Sequence, residues 1–184
     1  MVRARLTRIT TRSGDSGKSG LADGSRLPKT APQFDTLGEI DELNCAIGIV
    51  VSTLAIDQPL RATLIDIQSI LFDIGGAIAS PGRDLALDDV IAALDALIDD
   101  HATRLGPLTN FILPGGNACG AHAHLARAIC RRAERSFWQL VAASPGTYPD
   151  SLGMYLNRLS DALFLFARAL NSGTPELLWQ QRSR

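Results

Sequence analysis

From residue 33 onward, apolar side chains recur every three or four positions, the spacing of helices that bury one stripe. QFDTLGEIDELNCAIGIVVSTL places Leu37, Ile40, Leu43, Ile47, Val50, Val51 and Leu54 on such a stripe. Pro59, suited to a first helical position, opens a second pattern through LIDIQSILFDIGGAIAS, and Pro81-Gly82 stops it. A third runs roughly from Leu87 to Leu105 with Ile91, Leu94, Leu97 and Ile98 apolar, ending at Gly106-Pro107. A short extended piece, NFILPGGN, follows. A fourth helix is expected over roughly Cys119 to Ala142, before SPGTYP, and a fifth from about Pro149 to Asn171. Only RLTRIT and NFILP read like strand. The pattern predicts an all-α fold, a five-helix bundle behind a Gly-rich N-terminal loop. It reads as one domain: an arm over 1–33, the bundle over 34–171 and a tail over 172–184.

Length and composition narrow the function classes. A chain of 184 residues that is 46% hydrophobic can bury a sizeable core. A formal net charge of -1 supplies no basic field, so nucleic acid is not expected as a partner. No apolar run approaches a membrane span, so no membrane partner is expected. MVRARLTRITTRSG has basic residues but neither an apolar core nor a cleavage site, unlike a secretory signal. Cys45, Cys119 and Cys130 are odd in number and unclustered, which points to reduced thiols and a cytoplasmic location. No metal-ligand spacing is present. His122 and His124 are two residues apart on a helix and diverge, so they and His101 read as satisfied structural histidines.

The stretch TRSGDSGKSG ends like a Walker phosphate loop but lacks its first glycine; Arg12 stands there. The chain then runs into GLADGSRLPKTAP, which reads as further loop rather than helix. Gly14, Gly17 and Gly20 still allow close backbone approach, while Ser13, Ser16, Ser19, Lys18 and Lys29 offer hydroxyls and charge. The bland alternative is an arm without a ligand. The helices add a second signal. At about 100° per residue, setting Arg127 at zero puts Arg131 near 40°, Glu134 near -20° and Arg135 near 80°, opposite Leu125, Ile129, Ala133 and Leu140. Asn157, Asp161 and Arg168 likewise fall within about 40° of one another on the fifth helix. Asp41 lies outside the first helix's apolar stripe, within reach of a neighbouring chain. Solvated faces usually carry Lys and Glu; stripes of Arg, Asn and Asp suit bidentate phosphate or carboxylate binding. Physical reasoning alone reaches a phosphate-binding helical bundle.

Four blocks in order carry more. TRSGDSGKSGLADGSRLPK, GEIDELNCAIG, FILPGGN with HLARAICRRAER, and YLNRLSDALFLFARALN together resemble the PduO-type ATP:cob(I)alamin (corrinoid) adenosyltransferase family over nearly the whole chain. The resemblance implies a ferritin-like, cobalamin adenosyltransferase-like bundle and a homotrimer with ATP between adjacent subunits. It implies transfer of the 5′-deoxyadenosyl group of ATP to cob(I)alamin, giving adenosylcobalamin and triphosphate. Mg²⁺ is implied as the divalent cation, and K⁺ binds near the phosphates in some members. An adenosylcobalamin-dependent mutase and a reductase are implied as partners. Residue by residue, the phosphate loop falls on Thr11, Ser13, Gly14, Asp15, Gly17, Lys18 and Lys29. Arg131 is implied to contact triphosphate and Arg127 to pair across the interface with Asp41. Glu134 and Arg135 complete the nucleotide site, with Asn157 nearby. Phe111 is placed on the lower face of the corrin, where it excludes the axial base. No protein metal ligand is assigned.

Attack by Co(I) on a saturated carbon needs no protein nucleophile, and none is evident; the corrin supplies the reactivity. The protein's task is to hold ATP in line and stabilise departing triphosphate. The loop departs from the family's usual T-R-T-G-D-D-G-T-T-G. Ser13, Ser16 and Lys18 replace Thr, Asp and Thr, which makes it more positive, and Thr10 stands where Tyr is common. Lys29 is therefore the stronger phosphate candidate of the two lysines. Gly120 at the start of the fourth helix is a further departure. Two other readings remain at this point: a trimeric nucleotide or corrin carrier without turnover, and a bundle whose charges are only solvated.

Overall fold

The computed structural model describes residues 10–182. It contains helices α1 (Pro32–Thr53), α2 (Pro59–Ile78), α3 (Asp88–Leu105), α4 (Ala118–Ala143) and α5 (Ser151–Leu170). They follow from the expected punctuation. Pro occupies the first turn of α1 and α2, where a missing N–H loses no helical bond. Gln58 caps α2 through its side chain on the Leu60 N–H at 3.0 Å, and Asn117 caps α4 through the Gly120 N–H at 2.9 Å. The α1–α4, α4–α5, α3–α5 and α1–α2 pairs pack directly, so α4 lies at the centre of the arrangement, flanked by α1 and α5.

One hydrophobic cluster joins all five helices. Leu43 and Ile47 of α1, Leu64 and Ile74 of α2, Phe137 and Leu140 of α4, and Leu156 and Phe166 of α5 are fully buried. Each such side chain contributes about 1.5–3 kcal/mol from burial. The stripe predicted on α1 is buried from Ile40 to Val51, with Leu37 and Leu54 packed at its rim. No helix among the described residues is long and apolar enough to cross a membrane.

The structure departs from the pattern at several points. The segment after the Gly-rich loop contains a small antiparallel hairpin, β1 (Lys18–Gly20) with β2 (Arg26–Pro28), where only loop was expected. Three-residue strands are too short to show a two-residue alternation, and the Asp23-Gly24 turn between them is the only local signal. RLTRIT lies outside the described residues except for Thr10, which is in no strand. NFILPGGN is extended, but its partner is the C-terminal tail, through a bridge between Ile112 and Leu178. Leu125, expected on the buried side of α4, is 52% exposed. Arg168, expected on a polar stripe of α5, is buried because the tail folds over it.

Candidate functional site

The arm is a tight loop clamped at its base. Gly17 has φ 77°, a conformation favouring glycine, and its carbonyl accepts the Lys29 N–H at 2.8 Å. Arg26 Nη2 donates to Ser13 O at 2.6 Å and to Lys18 O at 3.2 Å. The Thr11 and Ser13 hydroxyls lie 2.9 Å apart. Lys29 crosses over Gly14: a Cβ there would sit 3.1 Å from its Nζ. Thr11, Ser13, Asp15, Lys18 and Lys29 are all exposed. Hydroxyls, an ammonium and backbone N–H groups are thus gathered on one accessible loop, a set suited to polyphosphate. The loop is tied to the body by the buried Leu21 and by the Ala22 N–H, which donates to Ala79 O at 2.8 Å.

The second element lies between α4 and α5. Arg127, Arg131, Ser160, Asp161, Phe164 and Leu165 line a groove of about 270 Å³. Beside them on the same helices, Asn157 Nδ2 donates to Glu134 Oε1 at 3.3 Å. Arg135 Nη1 donates to the Arg131 main-chain carbonyl at 3.1 Å, and the Arg131 side chain is exposed. The α4 stripe therefore meets Asn157 and Asp161 of the α5 stripe, but not Arg168. Arg127 Nε is buried and has no hydrogen-bond partner among the described residues. Burial, and then the neighbouring Arg131 charge, pull the Arg127 guanidinium down from its usual range. Two adjacent arginines, one with an unsatisfied buried donor, make a site that an anion would complete.

The remaining assigned residues lie elsewhere in the chain. Asp41 is exposed on α1 and lines a groove of about 380 Å³ with Leu71, Phe72 and Gly75 of α2. Among the described residues it forms no ion pair within the chain. No hydrogen bond among the described residues joins the arm, residues 11–29, to Arg127, Arg131, Glu134, Arg135 or Asn157. Phe111 is 78% exposed, which excludes a role as core packing. Its neighbour Ile112 lines a mostly apolar pocket of about 380 Å³, together with Pro114, His124, Asn171 and Leu177. Among the described residues no group of three or more His, Cys, Asp or Glu could hold a metal ion.

Sequence reading missed three features of this region. Arg132 pairs with Glu39 and Glu42, bracing α4 against α1; the i,i+3 acid pair on α1 was its only trace. Asn171 is buried at the end of α5. It accepts the Asn117 N–H and donates to Gly115 O, both at 2.9 Å. Gly120 and Gly116 give it room: a Cβ at either would sit 2.2 or 2.3 Å from Asn171 Oδ1. The histidines also differ. His101 is satisfied by Leu97 O at 2.9 Å, but the Nδ1 atoms of His122 and His124 have no partner among the described residues. Burial, chiefly, lowers the His124 pKa, favouring the neutral ring.

Comparison with known proteins places this geometry. Residues 9–170 match the cobalamin adenosyltransferase family. The cobalamin adenosyltransferase of Cupriavidus metallidurans is 42% identical over 179 residues, covering 96% of each chain. The corrinoid adenosyltransferase of Mycobacterium leprae is 40% identical over 185 residues, covering 95% of this chain and 96% of that one. Among solved structures, a phenylalanine-to-histidine variant of the Lactobacillus reuteri PduO-type ATP:corrinoid adenosyltransferase, complexed with cobalamin and ATP, superposes with a TM-score of 0.88. It is 32% identical, covering 94% of this chain and 97% of that one. An arginine-to-lysine variant of the same enzyme complexed with ATP gives 0.87 at 32% identity, covering 94% of this chain and 100% of that one. Since the clamped loop, the arginine groove and all five helices fall inside the matched span, the chain belongs to the PduO-type cobalamin adenosyltransferase family.

Proposed function

We propose that this protein transfers the 5′-deoxyadenosyl group of ATP to cob(I)alamin, releasing triphosphate. The observation that carries the reading is the α4–α5 groove, where Arg127 and Arg131 lie together and Arg127 Nε is buried without a partner. The Co(I) electron pair forms the Co–C5′ bond while the C5′–O bond breaks and its pair leaves on triphosphate. Cobalt ends as Co(III), and no protein nucleophile is required. Arg131, exposed at the groove, is assigned to the triphosphate. The loop of Thr11, Ser13, Gly14, Asp15 and Gly17, with Lys29 and Lys18, holds the same chain of phosphates. Glu134, Arg135 and Asn157 complete the nucleotide site. Holding the leaving group and C5′ in line gives the rate, as does charge stabilisation of the departing anion.

Among the described residues no hydrogen bond joins the two halves of this site, and the exposed Phe72, 72% accessible, flanks the groove holding Asp41. Both features favour a homotrimer in which the arm of one subunit faces the α4–α5 groove of the next and Asp41 pairs with Arg127 across the interface. Mg²⁺ fits the donor set only as an ion held chiefly by phosphate oxygens and water, which is its usual mode beside nucleotides. It would supply charge neutralisation of the triphosphate, with K⁺ as a further cation near the phosphates. Phe111 is assigned to the lower face of the corrin, where an exposed aromatic ring displaces the axial base. We further propose one adenosyltransferase domain over residues 1–184, a cytoplasmic setting, and exchange with a reductase and an adenosylcobalamin-dependent mutase.

The test is anaerobic mixing of the protein with chemically reduced cob(I)alamin, ATP and Mg²⁺, following corrin absorbance and triphosphate together. Alkylcobalamin with matching triphosphate is expected. Binding of both substrates without triphosphate would make the protein a carrier. Arg131→Ala should abolish transfer while leaving the oligomer intact, and near-normal turnover would remove the central assignment.

A further inference from the structure

The segment after α5 is latched to the body rather than trailing from it. Buried Arg168 donates from Nε to Glu176 Oε1 at 2.7 Å and from Nη2 to Oε2 at 3.4 Å. The same guanidinium donates to Gly106 O at 3.2 Å and Leu105 O at 3.4 Å at the end of α3. Its side chain is 7% exposed and that of Glu176 is 30% exposed. A charge this deep is retained only with its hydrogen bonds made. Beyond the latch the tail runs antiparallel to the Phe111 segment. The Leu113 N–H donates to Leu177 O and the Trp179 N–H donates to Phe111 O, both at 2.7 Å. Asn110 receives the Phe111 N–H at 2.8 Å and donates to Trp179 O at 2.7 Å.

Both backbone polar groups of Phe111 are therefore fixed, one of them by the tail. The register adds a second constraint. With Ile112 opposite Leu178, the pairs Phe111–Trp179 and Leu113–Leu177 share the other face of the ribbon. The Phe111 and Trp179 rings meet edge to face, with centroids 6.4 Å apart. All four side chains on that face remain exposed, Phe111 at 78% and Leu177 at 67%. A tail present only to seal the core would turn its apolar side chains inward. This one presents them beside Phe111.

We propose that Arg168 and Glu176 are a positioning pair for the adenosyltransferase reaction: they latch the tail so that Trp179 holds Phe111 against the lower face of the corrin. The inference rests on the adenosyltransferase reading and on Phe111 as the residue that displaces the axial base. Its consequence is selective. Reduction of bound Co(II) to Co(I) takes one electron from a donor such as reduced flavin, and it is this step that depends on keeping the axial ligand away. Transfer from pre-formed Co(I) needs only the groove and the arm.

The test uses Glu176→Ala, Glu176→Gln and Trp179→Ala in the full chain, leaving buried Arg168 in place. Each is assayed with Co(II)alamin plus reduced flavin and, separately, with chemically reduced Co(I). Losing a charge-assisted hydrogen bond that orders the segment should slow the Co(II)-dependent reaction by about tenfold or more in Glu176→Ala, with Co(I)-dependent transfer within about twofold of the parent. Trp179→Ala should behave likewise, and Glu176→Gln, which keeps one acceptor, should recover part of the loss. The electron paramagnetic resonance spectrum of enzyme-bound Co(II) should regain nitrogen splitting from the axial base in the impaired variants. Equal losses with both cobalt states, or unchanged rates and spectrum in Glu176→Ala, would overturn the latch. Absence of alkylcobalamin from the parent protein with Co(I) would instead overturn the adenosyltransferase reading itself.

Discussion

Gly120→Ala sets two effects of opposite sign against each other. Gly120 is the third helical position after the Asn117 cap, and alanine there should strengthen α4 by up to about 1 kcal/mol. However, the added Cβ would lie 2.2 Å from Asn171 Oδ1, 2.4 Å from Cγ and 2.5 Å from Nδ2. Asn171 is short, 8% exposed and held at both ends of its amide, so it has no free arm to swing aside. Displacing it breaks two hydrogen bonds, each worth about 1 kcal/mol, and leaving their buried partners unpaired raises the loss to about 3–4 kcal/mol. The loss outweighs the helix gain, giving a net destabilisation of about 2–3 kcal/mol and a fall in Tm of roughly 4–12 °C for a domain of this size. Thermal unfolding by circular dichroism measures it, at one fixed protein concentration, since the midpoint of a protein that self-associates depends on concentration. The same substitution in an Asn171→Ala background supplies the control. There the clash is gone, and alanine at 120 should be neutral or stabilising by up to about 1 kcal/mol. A stabilised single variant, or equal costs in the two backgrounds, would refute the argument.

Phe111→Ala should impair the Co(II)-dependent reaction more than transfer to pre-reduced Co(I), measured in parallel assays; equal losses would reduce Phe111 to packing against Trp179. Cys45 is exposed, whereas Cys130 is buried and burial pushes its thiol pKa well up. A thiol-specific chromogenic reagent should therefore label Cys45 in the native protein and Cys130 only after unfolding. His124 carries a pKa lowered below 6.5, first by burial and then by Arg127, with Glu176 opposing. Its neutral form is the one the fold favours, so its contribution is fully present above about pH 6.5. As pH falls below that value the unfolded chain takes up the proton first, and stability should decline toward the lowered native pKa. Denaturant titrations over pH 5–8 should show that slope, and His124→Gln should flatten it.

The helices were legible because each buries a continuous stripe, and residues such as Leu43, Leu64 and Phe137 repeat at the helical period whatever lies around them. The polar stripe of α4 was legible for the same reason: Arg127, Arg131 and Glu134 are fixed relative to one another by one helix alone. Where a role depends on a segment far away in sequence, periodicity gave the wrong environment. Arg168 has the angular position of Asn157 and Asp161, yet the tail covers it and supplies Glu176. Leu125 has the angular position of a core residue, yet it is half exposed among the described residues. The departure at Gly120 was visible as an oddity, but its reason is Asn171, which reaches back from the end of α5 across 51 residues of chain. The tail itself had no periodic signal: TPELLWQQ is too short for a helix pattern and too irregular for a strand. Its meaning comes from a register set by main-chain hydrogen bonds to residues 111–113, which sequence spacing does not encode. A helical bundle places an arginine stripe by local geometry, and it shapes the apolar side of the candidate site with the non-helical segments that local geometry leaves undetermined.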